Sequence, residues 1–493
     1  MSELKIYFSD FFGVDENIIE DYGAVNISLI NDLPLFIDPF LLFNSEKEEY
    51  QNIHKSIISY LLFLKEKAAL NTNAPHGMLN AWYKFSEVKQ TWLGFSLSGN
   101  SGRGLGDDFA IHLYDGLRTT FSDFGNESIP QSPHLEKLCL ISNKVGRDKV
   151  SDFTTNFAKE YLLEYTQNFA QQHLDATLCE EFSISRARFD YDLEKWVTLK
   201  YTLPCIDNNF VLLTPKDMLT RDETFINRKD MIKNLDKLAL AVEDATLRFE
   251  LNNYFVNVLS KKSKDLPKKE KDDAAVRLIK THPQLIDHYL KYKEDNEQSA
   301  TSISEEAVSE ITLLFNTQLP DLVSLLNNNT KFYDEPIGSY EAAYNRVIYL
   351  KQVIENMDGY RIFYIDGKPI KRESDLQVMY KLLWFATGFD VNSEVNNGRG
   401  PVDFKVSKGS RDKTLVEFKL ASNTKLKHNI AKQVEVYKEA NQTDQAIKVI
   451  LCFSDAECER VNKILTELGL YNNKNIVLID ASNEKISASN VKL

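Results

Sequence analysis

The chain has 493 residues, of which 43% are hydrophobic and 11% aromatic. That is too apolar for a disordered protein and too long for one ordinary core. A formal charge of −13 argues against a general attraction to nucleic acid but leaves room for a local basic groove.

In chain order, the start "MSELKIYFSDFFGVDENIIEDYG" carries acids where a signal peptide would be basic. The run "LPLFIDPFLLF" is short and holds Asp38 and two prolines, so no membrane span is expected. Cys139, Cys179, Cys205, Cys452 and Cys458 form no CxxC pair. They fit reduced thiols in a cytoplasmic protein better than a disulfide framework or a zinc site.

Residues 1–145 read as an α/β region of short apolar runs and turns. Its glycine-rich stretch "SLSGNSGRGLGDD" lacks the phosphate-loop spacing and ends in two aspartates, so a surface loop is expected. Residues 146–325 read as mainly helical plus a linker. Phe153, Phe157, Tyr161, Tyr165 and Phe169 recur every four residues, the pattern of a helix face turned to a core. The basic run "KKSKDLPKKEKDD" reads as a solvated connection.

Residues 326–493 read most clearly. Helices are expected over "SYEAAYNRVIYLKQVIENM" and "ESDLQVMYKLLWFAT", with a hairpin turning at Asp366-Gly367 between them. Strands near 389–395, 401–406 and 413–420 follow, then a helix near 425–441, the strand "AIKVILCF", a helix from Asp455 and the strand "NIVLID". The expected fold class is α/β, with a mixed β-sheet flanked by helices at the C-terminus.

The stretch "PVDFKVSKGSRDKTLVEFKL" sets Asp403, Glu417 and Lys419 on one side of two strands, with Val416, Phe418 and Leu420 on the other. Two carboxylates are hard ligands suited to Mg²⁺ or Mn²⁺, and the Phe418 carbonyl is available as a third. A metal held there can polarise a phosphodiester, and Lys419 can stabilise the charge that develops. On the spacing alone, which is common, an edge hairpin with an exposed Asp and a cross-strand Glu–Lys pair is the favoured reading. The strand order, Gly398 and Gly400 before Asp403, and "QVEVY" on the next helix favour the site.

With these features the C-terminal region resembles the PD-(D/E)XK nuclease superfamily in its Q-x3-Y variant. "GRGPVDF" matches the strand of the first acid, Asp403; "VEFKL" supplies Glu417 and Lys419; "QVEVY" supplies Gln433 and Tyr437. Pro401 stands one residue before its usual place. The resemblance implies a restriction-endonuclease-like αβββαβ core, a divalent metal and an acid on the preceding helix. Glu373 is the first choice for that acid and Asp375 the second, with Glu394 a weaker metal-side candidate. Arg411, Lys413, Lys425, Lys427 and Lys432, with His428, are expected to meet phosphates, if they are not ordinary solvated surface.

The implied function is a Mg²⁺-dependent phosphodiesterase acting on DNA, of the kind found as effectors of prokaryotic restriction and antiviral defence. The upstream two-thirds would recognise a target, a partner protein or other copies of the chain. The alternatives are a nucleic-acid-binding or scaffold protein whose nuclease fold does not cut, and a nuclease directed at RNA.

Overall fold

The computed structural model describes residues 5–70, 75–94, 104–121, 124–140, 146–221, 223–235, 237–238, 248–249, 277–279, 281–333, 338–384, 390–396, 401–408, 412–431 and 446–483. The architecture is mixed α/β. Upstream, α1 (Glu48–Ala69) packs beside α2 (Arg147–His173). The aromatic repeat predicted the latter: Phe153 and Phe169 are fully buried, and the Phe153 ring packs tilted against Phe157 with centroids 5.0 Å apart. Thr154, Thr155 and Thr166 return their hydroxyls to the carbonyls four residues back, so the helix buries them without loose donors.

An antiparallel hairpin that the sequence reading did not single out follows, β1 (Cys179–Asp190) and β2 (Lys195–Ile206). After it come two short strand segments, Asn209–Phe210 and Leu219–Thr220, and further along the helices α3 (Gln284–Glu294), α4 (Gln298–Ile311) and α5 (Leu319–Asn329). The boundary expected at 325/326 falls inside α5. Helix α6 (Ser339–Asn356) opens the sheet-bearing unit. The expected hairpin turn is present, with φ of +49° at Asp366 and +71° at Gly367, the pair of positive values a type I′ turn requires.

The unit continues with α7 (Glu373–Leu383), β3 (Asp390–Asn396), β4 (Pro401–Lys408) and β5 (Asp412–Leu420). A helical segment at 426–431 leads to β6 (Ala446–Cys452), α8 (Asp455–Glu467) and β7 (Ile476–Asp480). The five strands lie in the order β7-β6-β5-β4-β3. Neighbours pair antiparallel from β3 to β5 and parallel from β5 to β7. The hairpin of the charged motif is therefore no sheet edge: β5 is the central strand.

One face of this sheet presents Val416, Phe418, Leu420, Val449, Leu451, Val477 and Ile479, packed with Val347, Val353 and Ile354 of α6 into the main apolar core. Asp412 fixes the start of α6 to the start of β5, accepting from the Ser339 amide at 2.8 Å. The other face is divided. Ile450 and Cys452 join Leu426, Ile430, Val461 and Leu465 in a small second core, and beside it lie Glu417, Lys419 and Lys448. The main core continues upstream without a break as far as Ile6.

Candidate nuclease site

Position 417 is set by register on both sides. On the parallel side Glu417 pairs with Lys448. On the antiparallel side Val416 pairs with Phe404, and one further step along that register brings Asp403 opposite Glu417. The side chain of Asp403 lies outside the described residues.

Glu417 is only 3% exposed. Its Oε1 lies 3.2 Å from the Lys419 Nζ, and its Oε2 lies 3.8 Å from the Lys448 Nζ. Lys419 is shared: its ammonium also donates to Glu373 Oε2 at 3.3 Å. Glu373 stands at the first position of α7 and reaches the C-terminal end of β5. There its Oε1 accepts from Asn423 Nδ2 at 2.8 Å and from the Leu420 amide at 3.3 Å. The result is a line of carboxylate, ammonium, carboxylate, with every described member at least half-buried.

Lys448 was not anticipated. Its signal in the sequence was a lone charge inside the apolar run "AIKVILC". Burial lowers its pKa to about 8, with Lys419 adding to the effect and Glu417 opposing it.

Asp375, the second choice for the helix acid, does not join this line. It turns to Arg221, whose Nη2 lies 2.5 Å from its Oδ2. The Phe418 ring packs in the main core at 4.4 Å from Tyr380. Lys425, Lys427 and His428 are exposed beyond the end of β5, and Lys427 pairs with Glu467 of α8 at 2.7 Å. Lys413 sits at the other end of β5, about 13 Å along the strand from Glu417 at ~3.3 Å per residue. It therefore lies apart from Lys425 and Lys427, because an extended strand carries it away. Arg411, Lys432, Gln433 and Tyr437 lie outside the described residues, as do Gly398, Gly400 and the side chain of Glu394.

Residues 339–455 match a family model described as Domain of unknown function (DUF8371). A second model, Domain of unknown function (DUF8370), matches residues 13–227. No curated protein and no solved structure matches the chain. The first of these stretches contains every candidate site residue. The second contains Arg221, the partner of Asp375.

Among the described residues no group of three His, Cys, Asp or Glu side chains is placed to hold a metal ion, and none of their helices is long and apolar enough to cross a membrane. The donors that the site does offer are hard oxygens. Glu417 and Glu373 balance Lys419 and Lys448 in charge. Such a set fits a hard divalent cation and would not favour a soft one.

Proposed function

We propose that the protein is a metal-dependent nuclease that hydrolyses phosphodiester bonds in DNA, and that α7, the five strands and α8 form a restriction-endonuclease-like core of the PD-(D/E)XK type. The observation that carries this reading is the Glu417–Lys419–Glu373 line, which joins the central strand to the start of α7 and is buried where a plain hairpin would be apolar. Buried charge is costly unless it is paired, and here it is gathered around the position that faces Asp403.

Asp403 and Glu417, with the Phe418 carbonyl, would hold Mg²⁺ or Mn²⁺. When bound, the ion supplies a polarised phosphodiester and a more acidic water. The chain does the rest. Glu373 draws the Lys419 ammonium to one side, so that it is not committed to Glu417 alone. Lys419 can then meet the negative charge that develops on phosphorus oxygens. Lys425 and Lys427, with His428, are exposed next to the site and suit contacts to the phosphate backbone, which position without reading bases. Gln433 and Tyr437 would shape the substrate side.

A role as an effector of prokaryotic antiviral defence or restriction rests on analogy of architecture, a nuclease-type unit behind a large upstream region. In that role the upstream region would bind a partner protein or further copies of the chain.

The test is an assay of the full chain on plasmid, linear and single-stranded DNA and on RNA, with Mg²⁺ and with excess chelator. Metal-dependent cleavage of DNA that disappears in Lys419→Ala supports the reading. Cleavage of RNA alone corrects the substrate. A folded protein that cuts nothing, or cuts equally well in chelator, overturns it.

A further inference from the structure

Helix α7, which carries Glu373, is gripped by residues far upstream. Arg221 is 3% exposed at its side chain, and it divides its guanidinium between two carboxylates. Nη2 lies 2.5 Å from Asp375 Oδ2, and Nη1 lies 2.7 Å from Glu310 Oε2. Glu310, on α4, is in turn 3.7 Å from Nη1 of Arg372, the residue just before the helix. Arg372, Glu310, Arg221 and Asp375 thus form a chain of charges around the first turn of α7, on either side of Glu373. At the other end of the helix, the Lys381 ammonium donates to Asn31 Oδ1 at 2.5 Å.

We infer that Arg221 is a positioning residue: by holding Asp375 it fixes the angle at which Glu373 meets Lys419, and so lets the upstream region control the site. The inference rests on the nuclease reading for its consequence, though the grip itself does not. The physical argument is one of rigidity. Asp375 and Glu373 are two positions apart in one helical turn, so they move together. Glu373 receives the Lys419 ammonium at 3.3 Å and the Asn423 amide at 2.8 Å, distances that a tilt of one ångström would break. A guanidinium that bridges two carboxylates holds direction as well as distance. Anything that shifts the region around Arg221, such as target or partner binding, would be passed to Glu373 through this contact.

Removing Arg221 alone would take a close counter-charge from the buried Asp375 carboxylate. The test therefore uses the double variant Arg221→Met with Asp375→Asn. It removes the buried carboxylate together with its guanidinium, and Glu310, 34% exposed, keeps Arg372. Expected is a folded protein with kcat on DNA reduced on the order of 10- to 100-fold, the cost of a misplaced site group, and with KM unchanged. Arg221→Lys, which can still reach Asp375, should recover part of the rate. Amide exchange over α7, followed by mass spectrometry, should quicken in the double variant and not in Arg221→Lys. A double variant that is folded and keeps the wild-type kcat overturns the inference, as does unchanged exchange over α7. If the wild-type chain cuts no nucleic acid, the nuclease reading has failed instead, and the exchange measurement alone decides whether Arg221 holds the helix.

Discussion

Lys448 stands directly across from Glu417 in the parallel register of two central strands, with its ammonium 3.8 Å from the Glu417 carboxylate. Both side chains are almost wholly buried. A lysine in that place has Glu417 as a close counter-charge, and Glu417 has both Lys419 and Lys448 as ammonium neighbours among the described residues. If the proposed nuclease reading holds, function and stability are linked at this residue.

Glu417→Ala should destabilise the protein as well as stop cleavage. It leaves the Lys448 ammonium buried without that carboxylate, and breaking a buried pair from one side typically costs about 3–5 kcal/mol. Glu417→Gln combined with Lys448→Met should recover most of the lost stability while staying inactive. Thermal melts of the two variants check this; equal melting temperatures for wild type and Glu417→Ala would contradict it.

Lys419→Met should separate chemistry from folding. In the proposed reaction the ammonium meets the developing charge, and losing one such group costs on the order of 100- to 1,000-fold in rate. DNA binding, measured with the metal absent, should stay close to wild type. A variant that cuts within threefold of wild type would remove Lys419 from the reaction.

The exposed lysines after β5 should act on affinity alone. Lys425→Ala with Lys427→Ala should weaken DNA binding evenly across sequences. It should lower the slope of log K against log salt by about 1 to 2, since each lost phosphate contact removes ~0.9. The lower end is expected because Lys427 already pairs with Glu467. A loss confined to one DNA sequence would argue for base reading.

Stability should fall with rising pH on account of the upstream region. Burial, reinforced by the nearby Glu87, pushes the Asp32 carboxyl up to about 8 and the Asp152 carboxyl up to about 7. Each group binds its proton more tightly in the folded chain than in the unfolded one. The stabilisation is thus complete below the ordinary carboxylate range and is lost as pH rises towards 8. Melting temperature should drop between pH 5 and pH 8.5, and Asp32→Asn should flatten that drop and raise the value at pH 8.5 by a few degrees. Parallel melting curves for the two proteins across this range would show that Asp32 is not the group responsible.

The sequence by itself determined the local elements. Alternation in "PVDFKVSK" and "TLVEFKL" predicts strands because each side chain of a strand faces opposite to its neighbour, and β4 and β5 lie where that pattern puts them. The four-residue aromatic repeat gave α2 for the same kind of reason. Glu417 and Lys419 were legible as one face because they are two residues apart on one strand.

What only the tertiary structure decided are relations between elements. Two acids open α7 two positions apart, about 200° around a helix of 3.6 residues per turn. Nothing local says which faces Lys419 and which faces away. Packing against β5 gives Glu373 to the lysine, and an arginine 154 residues upstream takes Asp375. Lys448 joins Glu417 only through the register of a parallel pair, whose strands are joined by a crossover and not by a tight turn that would fix the register locally. Spacing along a chain fixes the face a side chain shares with its neighbours. Its partner across the fold is fixed by which burial leaves the fewest charges unpaired.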